Sequence, residues 1–142
     1  AELACPPEQL PEGMVVLNEK QADVLVEEMD AWLEQLDPLT SFILPSGNGP
    51  EAVMHLTRTV TRRLERTVLR LSESEGEGSV RPLVLVYINR LSDWLFVLGR
   101  WVCLGLGNDE TLWMPLGRRG PENGVADLIR KLSKSDDDFD HL

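Results

Sequence analysis

Pro82-Leu83-Val84-Leu85-Val86-Tyr87-Ile88-Asn89-Arg90-Leu91-Ser92-Asp93-Trp94-Leu95-Phe96-Val97-Leu98-Gly99-Arg100-Trp101-Val102-Cys103-Leu104 is apolar nearly all round when read at helical spacing. Proline is tolerated in a first turn, so a helix over about 80–104 is expected, placed centrally in a bundle. Its polar exceptions Asn89, Asp93 and Arg100 share one stripe, and they interrupt what would otherwise approach the roughly 18 to 20 apolar residues of a bilayer span. A buried polar group without a partner costs about 1–3 kcal/mol, so that stripe must be paired or used.

Two further helical patterns precede it. Asn18 with Gln21 forms a capping-box pattern, after which Ala22, Leu25, Val26, Met29, Leu33 and Leu36 recur at helical spacing until Pro38 ends the run. Pro50 opens a second pattern to about residue 73, where Val53, Leu56, Val60, Leu64, Val68 and Leu71 form the expected buried stripe. Arg58, Arg62 and Glu65 lie nearly opposite, on the face expected to turn away from the core. Between these helices, Thr40 to Leu44 is a short apolar run closed by Pro45-Ser46-Gly47-Asn48-Gly49, read as an ordered extended loop without a partner strand. Residues 72–79 read as a surface connection, and the opening, Pro6 through Gly13, as a proline-punctuated loop. After Gly105 the pattern loosens: Trp113-Met114-Pro115 reads as a docked tail, Val125 to Leu132 as a short amphipathic helix, and Asp136 to Asp140 as a disordered acidic end. The expectation is one all-α helical domain over 1–115, with a partly disordered tail over 116–142.

A net charge of -10 over 142 residues argues against nucleic-acid binding, which rests on a broad excess of Lys and Arg. The arginines are local, in Arg58-Thr59-Val60-Thr61-Arg62-Arg63-Leu64-Glu65-Arg66, and a compact cluster of that kind suits a small anion better than a long polymer. Arginine presents a fork of donors that never deprotonates, which holds phosphate oxygens in fixed positions. Glu65, three residues past Arg62, can orient that arginine or face a magnesium ion shared with phosphates. The same spacing also suits a solvated helix face with ordinary salt bridges. Asn89 can read a sugar hydroxyl or a phosphate, and Asp93 can fix Arg100; a satisfied polar network that sets helix register is the other reading. His55 and His141 are isolated histidines. Cys5 and Cys103 lack the spacing of a zinc site or a disulfide framework, which points to a reducing compartment. The turn at 46–49 lacks the Lys-Ser/Thr ending of a P-loop, so phosphate binding would rest on side chains.

Three stretches, Ser41-Phe42-Ile43-Leu44-Pro45-Ser46-Gly47, Leu56 to Arg66 and Tyr87-Ile88-Asn89-Arg90-Leu91-Ser92-Asp93-Trp94-Leu95-Phe96, resemble the PduO-type ATP:cob(I)alamin adenosyltransferases in order and spacing. The resemblance spans roughly residues 3–115 and corresponds to the family's C-terminal portion; its N-terminal nucleotide loop and first helices have no counterpart in these residues. Ser46 stands where a glycine is usual, and Leu64 where a small residue is common. The resemblance implies a five-helix ferritin-like bundle, about three of whose main helices are present here, assembled as a homotrimer with each active site at a subunit boundary. It implies transfer of the 5′-deoxyadenosyl group of ATP to cob(I)alamin with release of triphosphate. Arg62, Arg63, Glu65 and Arg66 would bind ATP phosphates and support magnesium, with Asn89 also at the nucleotide. Arg58 would form an intersubunit salt bridge, Phe42 would lie against the corrin ring and keep the lower axial ligand off cobalt, and Asp93 and Arg100 would be supporting structure. ATP, magnesium and cobalamin are the implied ligands, in the cytoplasm or a mitochondrial matrix, with no nucleic acid and no membrane. The alternative is a non-catalytic trimeric helical module that holds a corrinoid without adenosylating it.

Overall fold

The computed structural model describes residues 2–47 and 49–114. Three helices carry the fold: α1 (Glu19–Leu33), α2 (Pro50–Glu75) and α3 (Pro82–Gly105), preceded by a single 3-10 turn at Pro7–Gln9. The expected helix at 125–132, the acidic end and His141 lie outside the described residues.

Local chemistry sets the boundaries. The Asn18 N–H donates to Gln21 Oε1 at 2.8 Å, so the expected capping box closes the start of α1. Pro50 and Pro82 each stand at the first position of their helix, where a missing N–H forfeits no intrahelical bond. α1 stops three residues earlier than its periodicity suggested. Beyond Leu33 the chain tightens into i→i−3 bonds, Gln35 N–H to Trp32 O at 3.0 Å and Leu36 N–H to Leu33 O at 3.2 Å.

α3 is the central element, as its all-round apolarity implied: α1 and α2 each pack on it and not on one another. Consecutive helices alternate in direction. Glu65 meets Asn89 and Arg58 meets Phe96, which makes α2 antiparallel to α3. Asp23 pairs with Arg90 and Gln35 with Trp101, which makes α1 parallel to it. Val68, Val80, Val84 and Ile88 form the buried cluster at the α2–α3 turn, with Leu3, Leu17 and Leu85 packed against it. On the other side, the Trp32 ring lies 5.3 Å from Trp94 and 5.8 Å from Trp101, while Glu28 and Gln35 accept the two indole N–H bonds at 2.6 and 3.1 Å.

Two expectations are overturned here. α3 is long and apolar enough to cross a membrane by length and mean hydropathy, so its three polar residues do not disqualify it on composition. Its place between α1 and α2, with Val84, Ile88, Leu95, Val97 and Cys103 buried, supplies a packing reason for that apolarity. The stretch at 40–44 does have a partner: Ile43 bridges antiparallel to Leu112, because the chain turns at Gly107 and comes back beside it.

α2 reverses the orientation expected of it. Its apolar stripe is largely open, with Val53 54%, Leu56 64%, Val60 47% and Leu64 43% exposed, and only Val68 on that stripe is buried. The face turned to α3 is the one bearing Arg58, Thr61 and Glu65. The reason lies in α3, which presents Phe96 and Asn89 at those levels and so answers charge with a ring face and an amide.

Ile88→Ala should therefore lower the unfolding free energy of this chain by about 2–4 kcal/mol in urea denaturation.

Candidate functional site

Helical spacing brings Arg62 and Glu65 to one face of α2, and the α2–α3 packing adds Asn89 from the opposite helix. Arg62 Nη1 is ion-paired with Glu65 Oε2, and Asn89 Nδ2 donates to Glu65 Oε1 at 3.0 Å. The Glu65 side chain is 12% exposed and the Arg62 side chain 39%, so the carboxylate sits in the seam while the guanidinium reaches the surface. Glu65 thus aims an arginine outward from a fixed base. Arg63 and Arg66 are exposed on the adjoining arc of the helix, where they fan away from the seam. Arg70, which sequence reading left aside, falls on the same arc one turn beyond Arg66 and is also exposed; i, i+4 spacing was the signal for it.

Arg58 sits one turn before Arg62 with its guanidinium carbon 5.3 Å from the centre of the Phe96 ring. Its Nε is buried and lacks a hydrogen-bond partner among the described residues. Leaving such a donor unmet costs about 1–3 kcal/mol.

The polar stripe of α3 does not pair within itself. Asp93 is exposed, and Arg100 finds its partners elsewhere: Nε and Nη2 donate to the Glu110 carboxylate at 2.7 and 3.3 Å, and Nη2 also donates to the Asp37 carbonyl at 2.8 Å. The proposed Asp93–Arg100 pair is therefore corrected. Arg100 is 5% exposed, so a bidentate acceptor brought in from the chain beyond Gly107 satisfies it better than an exposed carboxylate two turns away. Glu110 could not have been picked out from spacing, because only the return of the chain brings it to α3.

Phe42 lies apart from the arginines, at the end of the bundle where α1 and α3 finish and α2 begins. Its ring is 78% exposed, and Trp113 stands edge-on to it with ring centroids 6.2 Å apart. At that same end Glu51, 3% exposed in the first turn of α2, takes a hydrogen bond from Asn108 Nδ2. A side chain at Gly47, whose φ is +115°, would run into the Glu51 carboxylate, so the loop can approach the helix only as glycine. Between Ile43, Gly47, Glu51, His55 and Cys103 there remains about 20 Å³, room for a water and not for a substrate. Burial pushes the Cys103 thiol above its ordinary pKa, with Glu51 and Glu110 adding to the effect. Burial also lowers His55, helped by the neighbouring Arg58. A thiol pushed upward in this way is the opposite of an activated nucleophile.

Sequence and structure comparisons give the site its context. A family model described as cobalamin adenosyltransferase matches residues 1–102. The chain is 41% identical over 91 residues to the human corrinoid adenosyltransferase MMAB, covering 61% of this chain and 35% of that protein. It is 41% identical over 101 residues to the corrinoid adenosyltransferase of Mycobacterium leprae, covering 71% and 51%. Against that of Bacillus subtilis it is 40% identical over 96 residues, covering 66% and 48%. The chain therefore spans between about a third and a half of the length of these relatives. Among solved structures, a phenylalanine-to-alanine variant of a PduO-type ATP:corrinoid adenosyltransferase from Lactobacillus reuteri, complexed with cobalamin and ATP, superposes with a TM-score of 0.72 at 28% identity, over 80% of this chain and 61% of that one. An arginine-to-lysine variant of the enzyme from the same organism, complexed with ATP, gives 0.70 over the same shares.

The His55 shift carries a pH dependence. Its folded pKa lies below the ordinary 6.5, so the unfolded chain binds the extra proton first and stability falls as pH drops through 6.5, levelling off below the folded value. His55→Gln should flatten the unfolding free energy between about pH 7 and pH 5, measured by urea denaturation.

Proposed function

The chain belongs to the cobalamin adenosyltransferase family, and from that premise we propose that the protein transfers the 5′-deoxyadenosyl group of ATP to cob(I)alamin and releases triphosphate. The observation that carries the reading is the Arg62–Glu65–Asn89 cluster at the α2–α3 seam, with Arg63 and Arg66 open to solvent beside it. A triphosphate needs several fixed cationic donors, and a carboxylate that orients one of them from a buried position supplies such a donor without further reorganisation.

In the reaction the cobalt(I) electron pair attacks C5′ of ATP, the Co–C bond forms, and the C5′–O bond breaks toward the triphosphate. The nucleophile belongs to the substrate, so the protein needs no base and no covalent intermediate. Its residues hold charge and geometry. Arg62, Arg63 and Arg66 take the phosphate oxygens, and Asn89, already fixed by Glu65, borders the nucleotide. Among the described residues there is no cluster of three or more metal-ligating side chains. Magnesium would be held mainly through the phosphates, with Glu65 as the protein carboxylate that would support it. That fits the preference of magnesium for one or two carboxylates plus substrate oxygens. Phe42, exposed on its loop, takes the corrin side. There it would keep the lower axial ligand from cobalt and so ease reduction of the metal.

A homotrimer with sites at subunit boundaries belongs to the same proposal. Two features support it: the buried Arg58 Nε that lacks an acceptor among the described residues, and the apolar stripe of α2, which is largely exposed. A carboxylate from a neighbouring subunit would meet Arg58. The free thiols Cys5 and Cys103 fit a reducing cytoplasm or mitochondrial matrix.

The test uses the full-length protein with ATP, magnesium and chemically reduced cobalamin, followed spectroscopically. Arg62→Ala should weaken ATP binding at least about tenfold, the loss expected for one charge-assisted hydrogen bond, with helicity by circular dichroism retained. ATP affinity unchanged in that variant would overturn the phosphate assignment. Corrinoid binding without adenosylation in the wild type would favour the non-catalytic module.

A further inference from the structure

One end of the bundle holds an arrangement that the nucleotide-facing cluster does not use. The segment 109–114 runs back beside the Phe42 loop and is bonded to it on both sides of that residue. Ser41 Oγ donates to the Trp113 carbonyl at 2.8 Å, the Trp113 N–H to the Phe42 carbonyl at 2.7 Å, and the Leu44 N–H to the Thr111 carbonyl at 2.8 Å. With Ile43 opposite Leu112, the alternation of an extended pair sets Phe42 opposite Trp113 on the other face. The two rings meet edge to face, 73° between planes. Trp113 is 40% exposed and is the aromatic neighbour of Phe42 among the described residues.

The pairing is anchored from below. Arg100, buried in α3, holds Glu110 of the returning segment and the Asp37 carbonyl of the loop entrance at once. One guanidinium thus ties both segments to the same helix. Asn108 adds a tie to Glu51 at the start of α2.

A phenyl ring that is 78% exposed on a loop has free rotamers unless a neighbour limits them. To stand against a flat apolar macrocycle, that ring must keep one orientation, since a misplaced group loses much of its effect. We propose that Trp113 is a positioning residue for the corrinoid side of the site: paired across the Ile43–Leu112 bridge, it holds the Phe42 ring in the orientation that meets the corrin. The inference rests on the assignment of Phe42 to corrin, and it adds a residue from the returning segment to that assignment.

Titration of the full-length protein with cob(II)alamin in the presence of magnesium and ATP reads this directly, through the visible-spectrum change that accompanies loss of the lower axial ligand. Trp113→Ala should raise the corrinoid KM about tenfold and reduce that spectral change, with the KM for ATP within about twofold of wild type. Trp113→Phe, which keeps an edge-to-face partner, should restore most of both. A Trp113→Ala protein with wild-type corrinoid KM and spectrum, beside a Phe42→Ala protein that has lost them, would overturn the positioning role and leave the corrin assignment of Phe42 standing. Equal loss toward ATP and corrinoid, unrelieved by Trp113→Phe, would overturn it as a general packing defect. A wild-type protein that binds ATP but leaves the cob(II)alamin spectrum unchanged would remove the corrin assignment itself, and this inference with it.

Discussion

A guanidinium taken out of water has to be met where it lies, and in this protein that requirement organises one whole end of the bundle. Arg100 is nearly buried in α3, and its donors are satisfied only because the chain on both sides of the bundle comes to it: the Asp37 carbonyl after α1 and the Glu110 carboxylate after α3. Removing either partner from such a charge is costly, on the order of 3–5 kcal/mol, so the two segments are held as a pair. The antiparallel bridge at Ile43 and Leu112 follows from that juxtaposition. The placement of Phe42 follows from the bridge.

The α2–α3 seam obeys the same logic at lower cost. Glu65 is mostly buried, yet one oxygen is paired with Arg62 and the other accepts from Asn89, so the carboxylate is satisfied without being neutralised by a deep partner. Arg63, Arg66 and Arg70 stay in water and carry no such desolvation penalty. α2 is consequently a helix with two working faces. The charged one packs on α3, and the apolar one, through Val53, Leu56, Val60 and Leu64, remains open in this chain.

Much of this was legible from residues alone. Apolar spacing, the Asn18–Gln21 cap and the two prolines at helix starts located three helices to within a few residues, because these are properties of neighbouring positions. The all-round apolarity of α3 identified it as the central helix. The spacing of Arg58, Arg62 and Glu65 also placed them on one face, and two of the three are directly paired. The direction of that face was misread, since a helix with an apolar stripe normally turns it to its own core. Whether it does so depends on what the rest of the bundle offers, and α3 offers Phe96 and Asn89 at the levels of the charges.

Sequence by itself determined the helices, their order, the local stacking of the arginines and the family motifs, all of which are set by contacts within a turn or two of chain. Tertiary structure alone decided which face of α2 is covered, that Arg100 turns to Glu110 and not to Asp93, and that Trp113 stands opposite Phe42. Those choices join residues ten to seventy-one positions apart. No periodicity encodes such distances; they are settled by which partner can satisfy a buried charge or an unpaired backbone group once the helices have packed.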